Sequence, residues 1–470
     1  MHWFRNDLRL RDNTALDAAV RASDAVLPVF VLDDRLLRGP HAGAPRSRFL
    51  LDCLDRLADE LDESDCPLIL RRGDPEQILP RLAREAGVDR VFSNEDVSPY
   101  ARARDARVDA ALGRADVAVT RCQDRMIQGV EAIRTGAGDA YSVYSPYRKK
   151  WRQELDEPAP GRKPRLQPFP EAPDPQRSLL DVCRDEVTGA EPIELPTGGE
   201  AAARRRLEAF LDATAGGYED DRNRPDRDGT SRLSPYLRFG VISPRTCVAR
   251  ALEASREDRR AAGGIQTWID QLVWRDFYQA ILAENPHVLR HNHRREYDAL
   301  VWEEDPEGFE AWCEGRTGFP IVDAGMRQLA ETGWMHNRVR MIVASFLTKD
   351  LLIDWRRGER FFFRSLVDGD PANNNGGWQW SASTGTDAQP YFRIFNPTAQ
   401  GKRWDPAGEY VREWIPELRD VAADRIHEPW RDGDGPSDYP KPIVDHGERR
   451  ELALAAYKRA RAIGKVGKAG

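Results

Sequence analysis

Ala25-Val-Leu-Pro-Val-Phe-Val-Leu32 is an unbroken apolar run too short for a core helix, and it reads as a buried strand. Outward from it the pattern repeats. Arg46 to Leu61 carries helical periodicity, and Pro67-Leu-Ile-Leu-Arg71, Arg90-Val-Phe-Ser93 and Val117-Ala-Val-Thr120 read as further strands with helical stretches between them. Strands alternating with helices predict an α/β domain built on a doubly wound, parallel, Rossmann-like sheet over residues 1–130. No G-x-G-x-x-G turn follows the first strand, so a dinucleotide fingerprint is absent. Residues 131–199 are expected to be a connector, because Pro158, Pro160, Pro164, Pro168, Pro170, Pro173 and Pro175 crowd one stretch. Residues 200–470 lack convincing strands and predict an all-α domain, which holds eleven of the thirteen tryptophans, all at or beyond Trp268.

Composition narrows the class. Of 470 residues 40% are hydrophobic and 32% charged, as in a globular protein that is not disordered. No apolar run approaches the roughly 20 residues of a membrane span, and Met1-His2-Trp3-Phe4-Arg5 lacks a signal-peptide core, so a cytoplasmic location is expected. The six cysteines and eight histidines show no ligand spacing, and no metal is expected. The formal charge of −7 argues on its face against nucleic acid, but a phosphate-binding surface needs only a local basic patch. Of the 71 basic residues 9 are lysines and 62 arginines, a bias that genome composition alone can produce.

Four constellations stand out. Gly229-Thr-Ser-Arg-Leu-Ser-Pro-Tyr-Leu237 puts Thr230, Ser231 and Ser234 where a helix begins; they either cap it or help hold a phosphate there. On a helix from Gln266 to Leu282, Gln271, Trp274, Arg275 and Tyr278 share one face, which suits a pocket for a flat ring with a polar edge. A helix opened by Trp334 to Met341 places Asn337, Arg340 and Met341 together. A buried arginine there requires an anion or carboxylate, for which Asp368 and Asp370 are candidates. Finally, Asp368-Gly-Asp-Pro-Ala-Asn-Asn-Asn-Gly-Gly-Trp-Gln-Trp380 is either the lining of a heterocycle pocket or an Asn-rich turn ahead of a core helix.

Trp3-Phe-Arg-x-Asp-Leu-Arg9, Tyr141-Ser-Val-Tyr144, Gly229 to Ser234, Trp274-Arg-x-Phe-Tyr278, Pro320-Ile-Val-Asp-Ala324, Trp334 to Met341, Asp368 to Pro397 and Ile443-Val-Asp-His446 resemble the photolyase/cryptochrome family along nearly the whole chain. The resemblance is closest to class I cyclobutane pyrimidine dimer photolyases of the deazaflavin-antenna subgroup. It implies an α/β antenna domain and a helical domain holding FAD. FADH⁻ excited by light would pass an electron to a dimer flipped out of UV-damaged DNA. By position, Tyr218, Thr230, Ser231, Arg232, Leu233 and Ser234 correspond to FAD phosphate and ribose contacts. Gln271, Arg275, Arg340, Asp368, Gly369 and Asp370 correspond to further cofactor contacts, and Asn374 to the residue facing flavin N5. Trp274, Trp380, Asn337 and Met341 correspond to the dimer pocket, and Arg222, Arg338, Gln271, Arg275 and Tyr278 to DNA contacts. Trp378, Trp355 and Trp302 correspond to the tryptophan chain that reduces oxidised flavin.

Gln271 departs from the glutamate common in this class and matches the (6-4) photolyases. Those enzymes, however, carry histidines where this chain has Asn337 and Met341. A cryptochrome photoreceptor is the non-enzymatic alternative, against which stand the retained Trp274 and Trp380. Around Asn94-Glu-Asp-Val-Ser-Pro-Tyr100 the resemblance implies an 8-hydroxy-5-deazaflavin antenna contacted by Arg46, Asp96 and Arg238. The glutamate of the methenyltetrahydrofolate subgroup is replaced by Ala101. A monomer needing no protein partner is expected.

Overall fold

A computed structural model describes residues 1–159, 161–187, 194–433 and 435–466. The chain forms two compact units. One comprises Met1–Gly216, Ser231–Glu284 and Val367–Asp370; the other comprises Gly217–Thr230, Asn285–Leu366 and Pro371–Gly470.

The first unit contains the expected sheet. Strands β1 (His2–Phe4), β2 (Pro28–Leu32), β3 (Ile69–Arg72), β4 (Arg90–Asn94) and β5 (Ala118–Cys122) are all parallel, in the order β3-β2-β1-β4-β5. The apolar run 25–32 supplies β2, buried at every position because both faces are covered. Trp3, Val29, Val31, Ile69 and Val91 pack with the helices Pro75–Glu85 and Pro99–Gly113. Those helices begin at capping residues Asp74 and Ser98, each followed by proline at the first helical position. The predicted helix 46–61 is observed as Ala44–Asp62.

The connector does more than link. Leu179–Val187 is a helix, and the Pro175 carbonyl accepts from Leu70 N of edge strand β3 at 2.8 Å, so the segment covers an exposed sheet edge. The unit boundaries also differ from breaks at 130 and 199, since residues 231–284 pack with the sheet. Phe49 of Ala44–Asp62 meets Tyr236 and Phe239 at ring separations of 5.4 and 5.8 Å. Arg245 pairs with Asp124, just past β5, at 2.7 Å.

The second unit is helical, with no strand among its described residues. Its core gathers Trp312, Phe346, Trp355, Phe362, Trp378 and Tyr410 from several helices. The Asn-rich stretch is neither a loop nor a turn. Asn373, Asn374 and Asn375 lie inside the helix Pro371–Ser381, where Asn375 Nδ2 donates to the Val288 carbonyl at 3.0 Å.

Gly240 fixes how the 231–240 segment meets the loop after β1. Its φ is +60°, and a Cβ there would sit 2.1 Å from the Asn6 carbonyl oxygen and 2.7 Å from Asp7 Cα. Gly240→Ala should therefore cost at least ~2 kcal/mol, from left-handed strain plus a backbone clash, measured by denaturant unfolding. An unchanged midpoint would show that the loop moves aside freely.

Candidate active site

In the first unit the helix Ala262–Glu284 carries the predicted stripe. Gln271, Trp274, Arg275 and Tyr278 are each half-buried, while Leu272, Val273, Asp276 and Phe277 between them are buried. Trp274 stacks on Tyr144 with ring centroids 3.6 Å apart and planes 11° from parallel, and Tyr144 Oη donates to the Asp270 carbonyl at 2.8 Å. Tyr144 thus backs Trp274 and fixes the plane of its ring. Tyr278 lies 5.4 Å from Trp274, and Gln271 Nε2 donates to the Thr267 carbonyl at 3.1 Å.

The hydroxyl cluster ahead of Pro235 does not cap its helix. Ser234–Arg238 is a single short turn of helix whose cap position is Leu233, with no side-chain capping bond. Ser231 Oγ accepts from Trp268 Nε1 at 3.2 Å and its carbonyl accepts from Arg206 Nε at 2.9 Å. Pro235 at the first turn removes one exposed N–H, and so short a helix offers little dipole to an anion.

Asp96, Arg238 and Asp370 meet through a residue the sequence analysis passed over. Arg125 pairs with Asp96 at 3.2 Å and also with Asp370, whose other oxygen accepts from Gln279 Nε2 at 3.0 Å. Arg275 Nη1 donates to the Arg125 carbonyl at 2.5 Å, and Arg238 donates to the Gly369 carbonyl at 2.7 Å and to Asn6 Oδ1 at 2.8 Å. Burial, reinforced by the Arg125 charge, lowers Arg238 to about 10. Burial and Arg238 lower Arg46 to about 9, with Asp368 opposing.

In the second unit Asn374 Nδ2 donates to Glu359 twice, to Oε1 at 2.9 Å and to the carbonyl at 3.0 Å. With its N–H groups so committed, Asn374 turns its Oδ1 acceptor the other way. Asn337 Nδ2 approaches Met341 Sδ at 3.9 Å on the helix Asn337–Ser345, which His336 caps, and Arg340 Nε donates to the Met335 carbonyl at 2.8 Å. Tyr218 is buried, with the Arg222 guanidinium 5.8 Å from its ring. Arg338 donates to Asn223 Oδ1 at 2.7 Å, and both it and Arg403 lie over Trp404, at 4.7 and 4.4 Å. Burial first, then Arg222 and Arg403, lower Arg338 to about 10: a crowd of like charges suited to phosphate.

Trp378 and Trp355 are buried in one core cluster and Trp302 packs against it. Trp355 Nε1 donates to Asn292 Oδ1 at 2.8 Å, and Trp302 meets Tyr457 edge-on at 6.4 Å. Trp380 is half-buried. Glu359, Arg125, Arg403, Trp404 and Tyr144 were missed as individual site residues. Only Tyr144 had a signal, as the last residue of Tyr141-Ser-Val-Tyr144; Glu359 and Asn374 lie on successive helices, so no local spacing joins them.

One unit with a doubly wound sheet and one helical, tryptophan-rich unit make a two-part α/β-plus-α protein. Residues 1–171 match the sequence model described as DNA photolyase, and residues 268–459 that of the FAD binding domain of DNA photolyase. The chain belongs to the DNA photolyase family. It is 45% identical to a deoxyribodipyrimidine photo-lyase of Halobacterium salinarum, covering 98% of this chain and 99% of that one. It is 43% identical to that of Escherichia coli, covering 98% of each. Among solved structures, a class III photolyase from Agrobacterium tumefaciens superposes with a TM-score of 0.89 at 38% identity over 98% of this chain and 97% of the other. An archaeal photolyase from Sulfolobus tokodaii with two FAD molecules superposes with a TM-score of 0.83 at 34% identity, over 97% and 99%.

Burial raises Glu359 to about 7, partly opposed by the Asn374 hydrogen bond. The folded state thus favours the neutral acid, a preference whose stabilisation is full below about 4.5 and is lost as pH rises to about 7. Glu359→Gln should escape that loss. Its unfolding free energy should gain on the wild type by up to ~3 kcal/mol between pH 4 and pH 8. A pH-independent difference would mean that Glu359 titrates alike in the folded and unfolded chain, so that burial does not shift it.

Proposed function

We propose that this chain is a light-driven carbon–carbon lyase that repairs cyclobutane pyrimidine dimers in DNA. What carries the reading is similarity along 98% of the chain to proteins named deoxyribodipyrimidine photo-lyase. Bound FAD supplies light absorption and one-electron donation, and the two cyclobutane bonds break with no net redox change. The donor set fits that cofactor. Asn374 has an acceptor oxygen for a ring N–H, Asp370 is held by Arg125 and Gln279, and Tyr218 and Thr230 to Ser234 are the residues that the resemblance assigns to the phosphates and ribose.

The remaining chemistry falls to the protein. Trp274, held flat by Tyr144, offers a ring on which a flipped pyrimidine can stack, and the half-buried Trp380 offers another. Gln271 both donates to and accepts from a pyrimidine edge. Asn337 and Met341 supply no proton, which favours this substrate over a (6-4) lesion. Arg222, Arg338 and Arg403 neutralise phosphates, and Trp302, Trp355 and Trp378 relay electrons. For the antenna we favour 8-hydroxy-5-deazaflavin, whose acidic hydroxyl suits the crowded guanidiniums of Arg46 and Arg238. The second FAD of the Sulfolobus tokodaii photolyase is the alternative, and chromatography of the extracted chromophores separates the two.

Blue light on the reduced, FAD-loaded protein should remove dimers from irradiated DNA, followed by chromatography of the bases. FAD binding without dimer loss would favour a photoreceptor. Trp378→Phe should slow photoreduction of oxidised FAD at least tenfold yet leave repair by pre-reduced protein within twofold. Loss of both would make Trp378 a packing residue.

A further inference from the structure

The strand order β3-β2-β1-β4-β5 reverses direction between β1 and β4, and doubly wound sheets bind ligands outside the strand ends at that point. Here protein groups occupy the place. Asn6 follows β1, Asp96 follows β4 and Arg125 follows β5. Asp96 Oδ2 accepts from Asn6 Nδ2 at 2.9 Å and pairs with Arg125, while its Oδ1 accepts from Ser98 N at 2.8 Å. Asp96 therefore has three protein donors already, which leaves it little capacity to hold an antenna ring. Arg125 spends its second nitrogen on Asp370. A continuous chain of buried and half-buried groups, Ser98–Asp96–Arg125–Asp370–Gln279, thus joins the switch point to Asp370.

We propose that Arg125 is a positioning residue that fixes the Asp370 carboxylate and, with Asp96 as counter-charge, sets the field that carboxylate exerts on a bound flavin. This rests on the reading of Asp370 as a flavin neighbour given above. Charges facing Asp370 come from the strand ends and from the segments packed on them: Arg125 directly, with Arg238 and Arg275 close enough to interact. Removing Arg125 leaves Asp370 less compensated, so an electron-rich flavin is disfavoured. Removing the Asp96 charge leaves Arg125 less compensated, which has the opposite effect.

The test uses full-length FAD-loaded wild type, Arg125→Gln, Arg125→Lys and Asp96→Asn, with the oxidised-to-reduced flavin ratio read by absorption at one fixed applied potential. Arg125→Gln should raise the ratio at least tenfold, Arg125→Lys by less, and Asp96→Asn should lower it. A packing role would lower melting temperature without shifting the two charge variants in opposite directions. FAD-loaded variants with the wild-type ratio, or with shifts of one sign, would overturn the proposal. So would an Arg125→Gln variant that folds and fails to retain FAD while Arg125→Lys fails equally. A wild-type chain that binds no FAD would instead overturn the functional reading itself.

Discussion

Asp124 is a buried carboxylate just past β5, gripped by two arginines. Arg9 Nη2 reaches its oxygens at 2.7 and 2.8 Å, Arg245 reaches one at 2.7 Å, and Thr14 adds its hydroxyl at 3.0 Å. The two guanidiniums hold Asp124 far below the usual carboxylate range despite burial. Such a cluster is tolerable only when every charge is answered, and losing one partner typically costs about 3–5 kcal/mol. Because Arg245 begins the helix Pro244–Glu257, this constraint fastens residues 231–284 to the sheet. Arg238, Ser231 and the helix that presents Trp274 all hang on that attachment, so the placement of these residues within the first unit depends on ion pairs at the sheet's carboxyl edge.

What the sequence made legible was whatever is local. Short apolar runs located β2 to β5 and a 3.6-residue period located the helix bearing Trp274, since both signals repeat within a few residues. The Asn373 to Asn375 run defeated that logic. Three consecutive amides favour turns, yet Asn375 donates to the distant Val288 carbonyl and accepts from Gln379 one turn along its own helix, and such bonds outweigh the propensity. Arg125 was invisible for a related reason. Its partners Asp96 and Asp370 stand 29 and 245 residues away, and nothing in its neighbours distinguishes it from a solvent-facing arginine.

The excess of arginine over lysine now has a physical component as well as a compositional one. Arg9, Arg125, Arg238, Arg245 and Arg275 are buried or nearly so, and each makes several directed bonds from one planar group. A lysine could neither reach two acceptors in fixed directions nor keep its proton as surely. Lys349 shows the contrast. Fully buried against the Tyr457 ring, with Ser383 Oγ at 3.0 Å, its ammonium is pushed well below the ordinary lysine range by desolvation alone.

That difference also explains how a chain of net charge −7 can present cations to phosphate. Many arginines are consumed internally by carboxylates, so the formal sum describes mostly paired charge. Arg338 is different: its hydrogen bonds go to the neutral amide of Asn223 and its plane lies on Trp404, neither of which cancels the charge. Arg222 and Arg403 add further positive charge close to it. The sign that a polyanion meets is set by which arginines lack carboxylates, and packing decides that.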